Sequence, residues 1–293
     1  MFSKLNRLTN LPSSLIQSTH SKSPKSSTMR TTWRRVVKTK PLIFLLTVIL
    51  SFTCLTDNSF GYSESDLQKL LSTKECVGCD LSGADLSGLD LKEANLREAD
   101  LTKANLTEAD LTKANMTKAD LTQAKLITTN LTKAKLTQAK LTKAKLRKAN
   151  LSKADLTEAN LTEANLTGAD LREADLTEAN LTEADLTKAK LITTDLTKAN
   201  LTEADLQGAD LTEADLTKAN LKGADLTRAN LTEADLQGAN LTKADLTRAH
   251  LTKANLKGAD LTEADLTEAN LTEATLSGAN LKGTNLKNTK GRF

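Results

Sequence analysis

Leucine stands at every fifth position from residue 81 to residue 286, 42 positions in all, with Met116 the single replacement. No straight element tolerates that period. On an α-helix, five residues advance the chain by about 140° around the axis, so the leucines would spread over every face and leave no buried stripe. Abundant Ala, Lys, Glu and Leu favour a helix by propensity alone; geometry, with Thr, Asp or Asn in most units, argues against it. On a flat strand an odd period puts successive leucines on opposite faces. The chain must therefore turn once per unit. In Ala-Asp-Leu-Thr-Lys, the first three residues alternate in, out, in as a short strand, and the next two form the corner. Ala and Leu point inward; Asp or Asn, Thr and the variable residue point out.

The aromatic residues agree with this. Phe2, Trp33, Phe44, Phe52, Phe60 and Tyr62 precede the array and Phe293 ends the chain, so the interior has to be built from Leu and Ala.

The units "ADLTK", "ANLTE" and "ADLSG" resemble the pentapeptide-repeat proteins, whose signature is A(D/N)LXX, over about 210 of the 293 residues. The resemblance implies an all-β fold, a right-handed quadrilateral β-helix with four units per coil. The 42 units would make about ten coils over residues 76–290. At roughly 4.8 Å between stacked strands, the rod would be on the order of 50 Å long. Its stability would come from stacking of neighbouring coils, Leu over Leu and Ala over Ala.

Residues 1–61 read as a leader. From Leu42 to Leu55 runs an apolar stretch of 14 residues, "LIFLLTVILSFTCL", after a basic flank and before small polar residues. That is the pattern of a secretory signal and falls short of the roughly 20 residues that span a bilayer. Ser59 and Gly61 suit cleavage before Tyr62. An uncleaved anchor and an organelle transit peptide over residues 1–40 are the alternative readings, and lipidation at Cys54 is a weaker one. Met29 opens a leader of ordinary length and is the expected start of translation. Over residues 62–75, Leu67, Leu70 and Leu71 at i, i+3 and i+4, with Ser63 or Ser65 as N-cap, predict a short amphipathic helix. It would cap the first coil, as terminal units of repeat proteins require.

Residues 1–56 hold nine of the 40 Lys and Arg and no acid, which leaves 31 bases against 37 acids in the remainder. Residues 121–154 depart from that mildly acidic balance. They contain no acid and nine bases: Lys125, Lys133, Lys135, Lys140, Lys143, Lys145, Arg147, Lys148 and Lys153. In register they form a belt around the rod, a candidate contact for an anion, an anionic membrane surface or an acidic partner, against the plainer reading of surface drift.

Cys76 and Cys79, in "CVGC", fall in the leucine and alanine positions of the first unit. Three readings stand for them: small packing residues under the helix, a disulfide, and redox or metal chemistry, the last without a second Cys pair or a His cluster to complete a site. His250 is alone in an outward Asp or Asn position and reads as surface variation. Glu158 and Glu178, stacked 20 residues apart, lie on a convex surface with no cleft to desolvate them. The sequons at Asn105, Asn160 and Asn200 are products of the repeat itself. "KLITT" occurs at residues 125–129 and 190–194 and reads as duplication, on adjacent sides of the rod. In it Thr129 and Thr194 replace inward Ala, and each hydroxyl needs a backbone carbonyl.

The sequence offers no catalytic residue and no cofactor or metal site. The reading is a non-catalytic, exported, rigid scaffold for an unidentified protein partner. The alternatives are the same scaffold tethered to a membrane through residues 42–55, or a DNA-mimicking regulator of the kind the family includes. The basic belt and the leader argue against the last. Direct nucleic-acid binding is disfavoured by the acidic body and the lack of aromatics. The opening "CxxCDLSGADLSG" after a short helix resembles exported cyanobacterial members, which implies the periplasm, the thylakoid lumen or the exterior.

Overall fold

A computed structural model of the chain describes residues 61–291. The apolar run 42–55, Met29 and the other leader features lie outside the described residues. The described part starts with one helix, α1 (Glu64–Thr73), and continues as a repeating coil.

Helix α1 starts where Ser63 takes an extended conformation and accepts the Asp66 N–H with its hydroxyl, and Glu64 and Asp66 sit in the positively polarised first turn. It stops at Lys74, which is left-handed and returns its N–H to the Leu70 carbonyl. Leu70 is fully buried and Leu67 packs against the core, whereas Leu71 is 48% exposed. The predicted three-leucine stripe is thus used through two leucines, because a ten-residue helix meets the first coil along one line. Hydrogen bonds join the segment to that coil: Ser63 N–H donates to Asp80 O (3.0 Å), Asp80 N–H to Asp66 Oδ2 (2.9 Å) and the Ser82 hydroxyl to Gly61 O.

From Glu75 to Lys290 the backbone pairs in parallel with the residue 20 positions further on, beginning Glu75↔Asn95 and ending Asn270↔Lys290. Four units therefore make one coil. We number its sides by their outward residues: side 1 carries Asp80, Asp100 and Asp120, side 2 Asp85 and Asn105, side 3 Asp90 and Asp110, side 4 Asn95 and Asn115.

The period can be followed hydrogen bond by hydrogen bond around Leu181. Its N–H donates to Asn200 O at 2.7 Å, Glu183 N–H to Thr202 O at 3.0 Å, and Asn180 N–H to Ala159 O at 2.9 Å, all between coils. Ala184 N–H closes the corner on Leu181 O at 3.0 Å. Thr182 N–H, the one left over, donates to the Asn180 side chain Oδ1 at 3.1 Å. Every N–H of the unit is thereby satisfied, as a stacked coil without solvent between layers requires. Asp or Asn is thus more than an outward polar residue: wherever it stands, its carboxylate or amide closes an Asx turn at the corner that follows.

The corner also fixes the variable position, which the sequence left unexplained. It sits in the left-handed region throughout, from Glu93 (φ 58°) to Glu273 (φ 60°), with Gly at several units and Lys or Glu at most. That is the conformation required at the third residue of a type II turn. Inside, the leucines and alanines from Leu81 to Leu271 are sealed from solvent apart from half-buried Leu89, and Leu276, Leu281 and Leu286 of the last coil are half-buried. Thr129 and Thr194 are fully buried, and their hydroxyls donate to Leu106 O (2.7 Å) and Leu171 O (2.8 Å).

Candidate functional site: the outward columns

With the interior occupied by Leu and Ala, the chemistry of the coil lies in its outward columns. Among the described residues no group of three or more His, Cys, Asp and Glu is placed to hold a metal ion. No helix among them is long and apolar enough to cross a membrane.

The belt residues do not converge. Lys125 and Lys145 are paired neighbours on side 2, Lys135 lies opposite on side 4, and Lys140 is on side 1. Lys133 and Lys153 share the corner between sides 3 and 4, Lys143 the corner between sides 1 and 2, and Arg147 and Lys148 the corner between sides 2 and 3. Three are already matched by acids one coil away: Lys140 to Asp120 (3.4 Å), Lys143 to Glu163 (3.3 Å) and Lys153 to Glu173 (3.2 Å). What remains concentrated is Lys125, Lys145, Arg147 and Lys148, around one side and its corner.

Two columns missed in the sequence reading are as regular as the leucines. Asp185, Asp205, Asp225, Asp245 and Asp265 follow one another on side 2, and Asp155, Asp175, Asp195, Asp215 and Asp235 on the opposite side 4. Reading the outward position every 20 residues reveals both. On side 1, Asn180, Asn200, Asn220 and Asn240 form an amide ladder, each Nδ2 donating to the Oδ1 one coil below at 3.4, 3.2 and 3.0 Å.

The carboxylates are tuned for structure. Burial pushes Asp185 up, but the Thr187 hydroxyl and N–H and the Thr167 hydroxyl outweigh it, so its carboxyl stays below the ordinary value. The Thr262 hydroxyl lowers Asp260 and the Thr267 hydroxyl lowers Asp265. Asp170 is lowered first by the Arg172 side chain, which donates to both carboxylate oxygens at 2.8 and 2.5 Å. All are held ionised, the opposite of what a general acid needs. Glu158 accepts from Gln138 Nε2 (2.8 Å) and Glu178 from Lys198 Nζ (2.8 Å), both on the open surface.

His250 is exposed within side 3, between Asn230 and Asn270. The sequon Asn105 donates Nδ2 to Asp85 Oδ1 (3.1 Å) and Asn200 donates to Thr182 Oγ1 (2.9 Å), so both amide nitrogens are in use. Cys76 and Cys79 are buried in the first coil beneath α1 and joined as a disulfide, with Cα atoms 5.2 Å apart.

The pentapeptide-repeat family model matches residues 79–117, 114–152, 154–191, 194–232, 229–267 and 249–288, in 8 copies. Comparison with curated proteins finds no match. Among solved structures the chain is similar to HetL, a pentapeptide repeat protein involved in heterocyst differentiation regulation from the cyanobacterium Nostoc sp. strain PCC 7120. Identity is 34%, over 78% of this chain and 96% of that one, with a TM-score of 0.28. It is also similar to a pentapeptide repeat protein of the Arabidopsis thaliana thylakoid lumen, with 32% identity over 34% of this chain and 63% of that one, TM-score 0.26. A third is Rfr23 from the cyanobacterium Cyanothece 51142, with 42% identity over 33% of this chain and 60% of that one, TM-score 0.23. The chain spans less than two thirds of the latter two. A period of five, four units per coil, a Leu and Ala interior and matched repeats from residue 79 to residue 288 all agree: the chain belongs to the pentapeptide-repeat family, whose fold is a right-handed β-helix.

Proposed function

We propose that this protein is a non-catalytic, exported scaffold of about ten coils, closed at its N-terminal end by α1, which holds outward side chains in fixed register for a protein partner. The observation that carries the reading is how fully the backbone of an Asp or Asn unit is used within the lattice. Every N–H around Leu181 bonds to a neighbouring coil or its own corner, so recognition falls to the outward columns. Those columns are convex, and Asp170, Asp185, Asp260 and Asp265 within them are held ionised, the opposite of what a general acid needs.

Export rests on the apolar run 42–55 after a basic flank, and the buried Cys76–Cys79 disulfide agrees with an oxidising compartment. The similar thylakoid-lumen protein supports the same destination among the periplasm, the lumen and the exterior. If the leader is retained, the same scaffold is membrane-tethered, and alkaline extraction of membranes separates the two. Lys125, Lys145, Arg147 and Lys148 are the proposed partner contact of the belt. Chemical cross-linking in the native compartment followed by pull-down tests the reading. A defined partner should be recovered, and recovery should fail when those four residues are changed to Glu. Recovery unaffected by the change would remove the belt from the interface, and turnover of a substrate by the purified chain would overturn the scaffold reading.

A further inference from the structure

The corner between sides 2 and 3 differs from the other three. At its variable position, successive coils carry Lys148, Gly168, Lys188, Gly208, Arg228 and Arg248, and no acid interrupts them. Elsewhere the signs mix within a column: Lys143 meets Glu163, Lys153 meets Glu173, and Lys198 meets Glu178. The six residues are locked in line by the lattice, Lys148 N–H donating to Thr167 O, Lys188 N–H to Gln207 O and Arg228 N–H to Thr247 O at 3.0, 3.0 and 2.9 Å. At roughly 4.8 Å per coil, the charges repeat about every 10 Å from Lys148 to Arg228 and then close up to about 5 Å at Arg248. Among the described residues Lys148, Lys188 and Arg228 have no ion-pair partner, whereas Arg248 bonds Glu268 at 2.7 Å.

The glycines shape what the charges can hold. At Gly208 the missing side chain opens a groove of about 360 Å³ lined by Lys188, Gln207, Thr227, Arg228, Thr247 and Arg248. A Cβ there would meet only the Lys188 Cγ, at 3.8 Å, so the notch is open space and not a packed contact. Its walls combine three cations with two hydroxyls and an amide. That is the donor set for a ligand that is anionic and also rich in hydroxyls.

We propose that this corner seats an extended acidic polysaccharide, a carboxylated glycan chain lying along the rod axis. Its carboxylates would meet Lys148, Lys188, Arg228 and Arg248, with a sugar ring in the Gly208 notch. The inference needs the coil register but not the export reading. Three features select this occupant. The row is one residue wide and parallel to the axis, which suits a linear chain. The aspartate ladder Asp185 to Asp265 runs unbroken along adjoining side 2, so an anionic plane laid on this corner would face those carboxylates, whereas a single strand can lie toward side 3, where Lys190, Asn230 and His250 are interspersed with only two carboxylates, Asp170 and Asp210. Single-stranded nucleic acid would want aromatic platforms, and the sequence has none between Tyr62 and Phe293.

The test is fluorescence anisotropy of labelled polygalacturonate oligomers with the full chain at low ionic strength. Changing Lys148, Lys188, Arg228 and Arg248 together to Gln should weaken binding at least about tenfold. A control of equal net charge, Lys118, Lys198, Lys218 and Lys253 to Gln, should shift it by less than about twofold. Gly208→Gln removes no charge but fills the notch, and should cost about threefold. Circular dichroism checks that all three variants keep the wild-type fold. Equal losses in the two quadruple variants, or unchanged affinity of Gly208→Gln, would overturn the proposal. So would tighter binding of phosphatidylglycerol vesicles or single-stranded DNA than of the glycan. None of these outcomes bears on whether the chain is exported.

Discussion

Asn240 donates its side-chain Nδ2 to Oδ1 of Asn220, one coil below, at 3.0 Å, while Asn220 Nδ2 also reaches Thr202 Oγ1 at 2.8 Å. An amide at the outward position thus closes its own corner through Oδ1 and links coils through Nδ2. An aspartate closes its corner in the same way but links coils only as an acceptor, as Asp185 Oδ2 does for Thr167 Oγ1 at 2.8 Å, and so cannot bond another aspartate. In the ladder Asp205, Asp225, Asp245, like charges face one another instead. Asp225→Asn should therefore raise stability by about 0.5–1 kcal/mol, by adding a bond of the kind that joins Asn255 to Asp235 (3.0 Å) and removing a repulsion. Urea denaturation of the variant checks this; a lower midpoint would contradict it.

Leu181 is fully buried between coils. Leu181→Ala should cost about 2–5 kcal/mol, and Leu181→Lys should unfold several coils, since each coil is supported only by its neighbours. Thermal unfolding followed by circular dichroism reads both, and an unchanged melting temperature for the Lys variant would contradict the placement.

Glu213 holds φ at 56° in its corner. Glu213→Gly should be neutral or stabilising by up to about 1 kcal/mol, because release from the left-handed region offsets the extra freedom of the unfolded chain. Glu213→Pro should disrupt the coil, since proline fixes φ near −65° and removes the N–H that bonds Thr232 O at 3.0 Å. Limited proteolysis separates the two outcomes.

Thr129, like Thr194, is a fully buried residue that replaces the inward Ala. Its Oγ1 donates to Leu106 O, a carbonyl that also accepts Ala109 N–H at 3.0 Å. Because the acceptor keeps a partner, Thr129→Ala should change stability little, whereas Thr129→Val, which keeps the bulk without the hydrogen bond, should cost about 1 kcal/mol. Denaturant midpoints for the pair decide it.

Acid should weaken the fold in one window. Asp260 and Asp265 are held below the ordinary carboxylate value by the hydroxyls of Thr262 and Thr267. A depressed folded-state value adds stability that is fully present above the unfolded value of roughly 3.9 and is lost as pH falls through the folded one. The melting temperature should stay level from about pH 7 to 5 and drop below about 4. The double variant Asp260→Asn, Asp265→Asn should reduce that drop.

The interior was legible because a leucine period of five leaves no other way to bury it, and Ala, two residues before each Leu, completes the inward pair. The corner's place in the unit was legible too, but its left-handed residue was not, since Lys and Glu have no preference for positive φ; only the glycines, such as Gly168 and Gly208, hinted at it. The basic belt was read from contiguous residues, whereas the coil disperses Lys135 and Lys140 to different sides. Lys148 and Arg248, a hundred residues apart in sequence, share a corner through the 20-residue register.

That register is the central claim, and double electron–electron resonance measures it directly. Spin labels on Lys118→Cys with Lys198→Cys, and on Lys118→Cys with Lys218→Cys, in a Cys54→Ser background, share one corner column four and five coils apart. The account predicts separations of roughly 19 and 24 Å, plus a constant contribution from the labels. Continuous helix would place the first pair about 120 Å apart, and a broad distribution would mean no fixed register; either result would contradict the stacked coil.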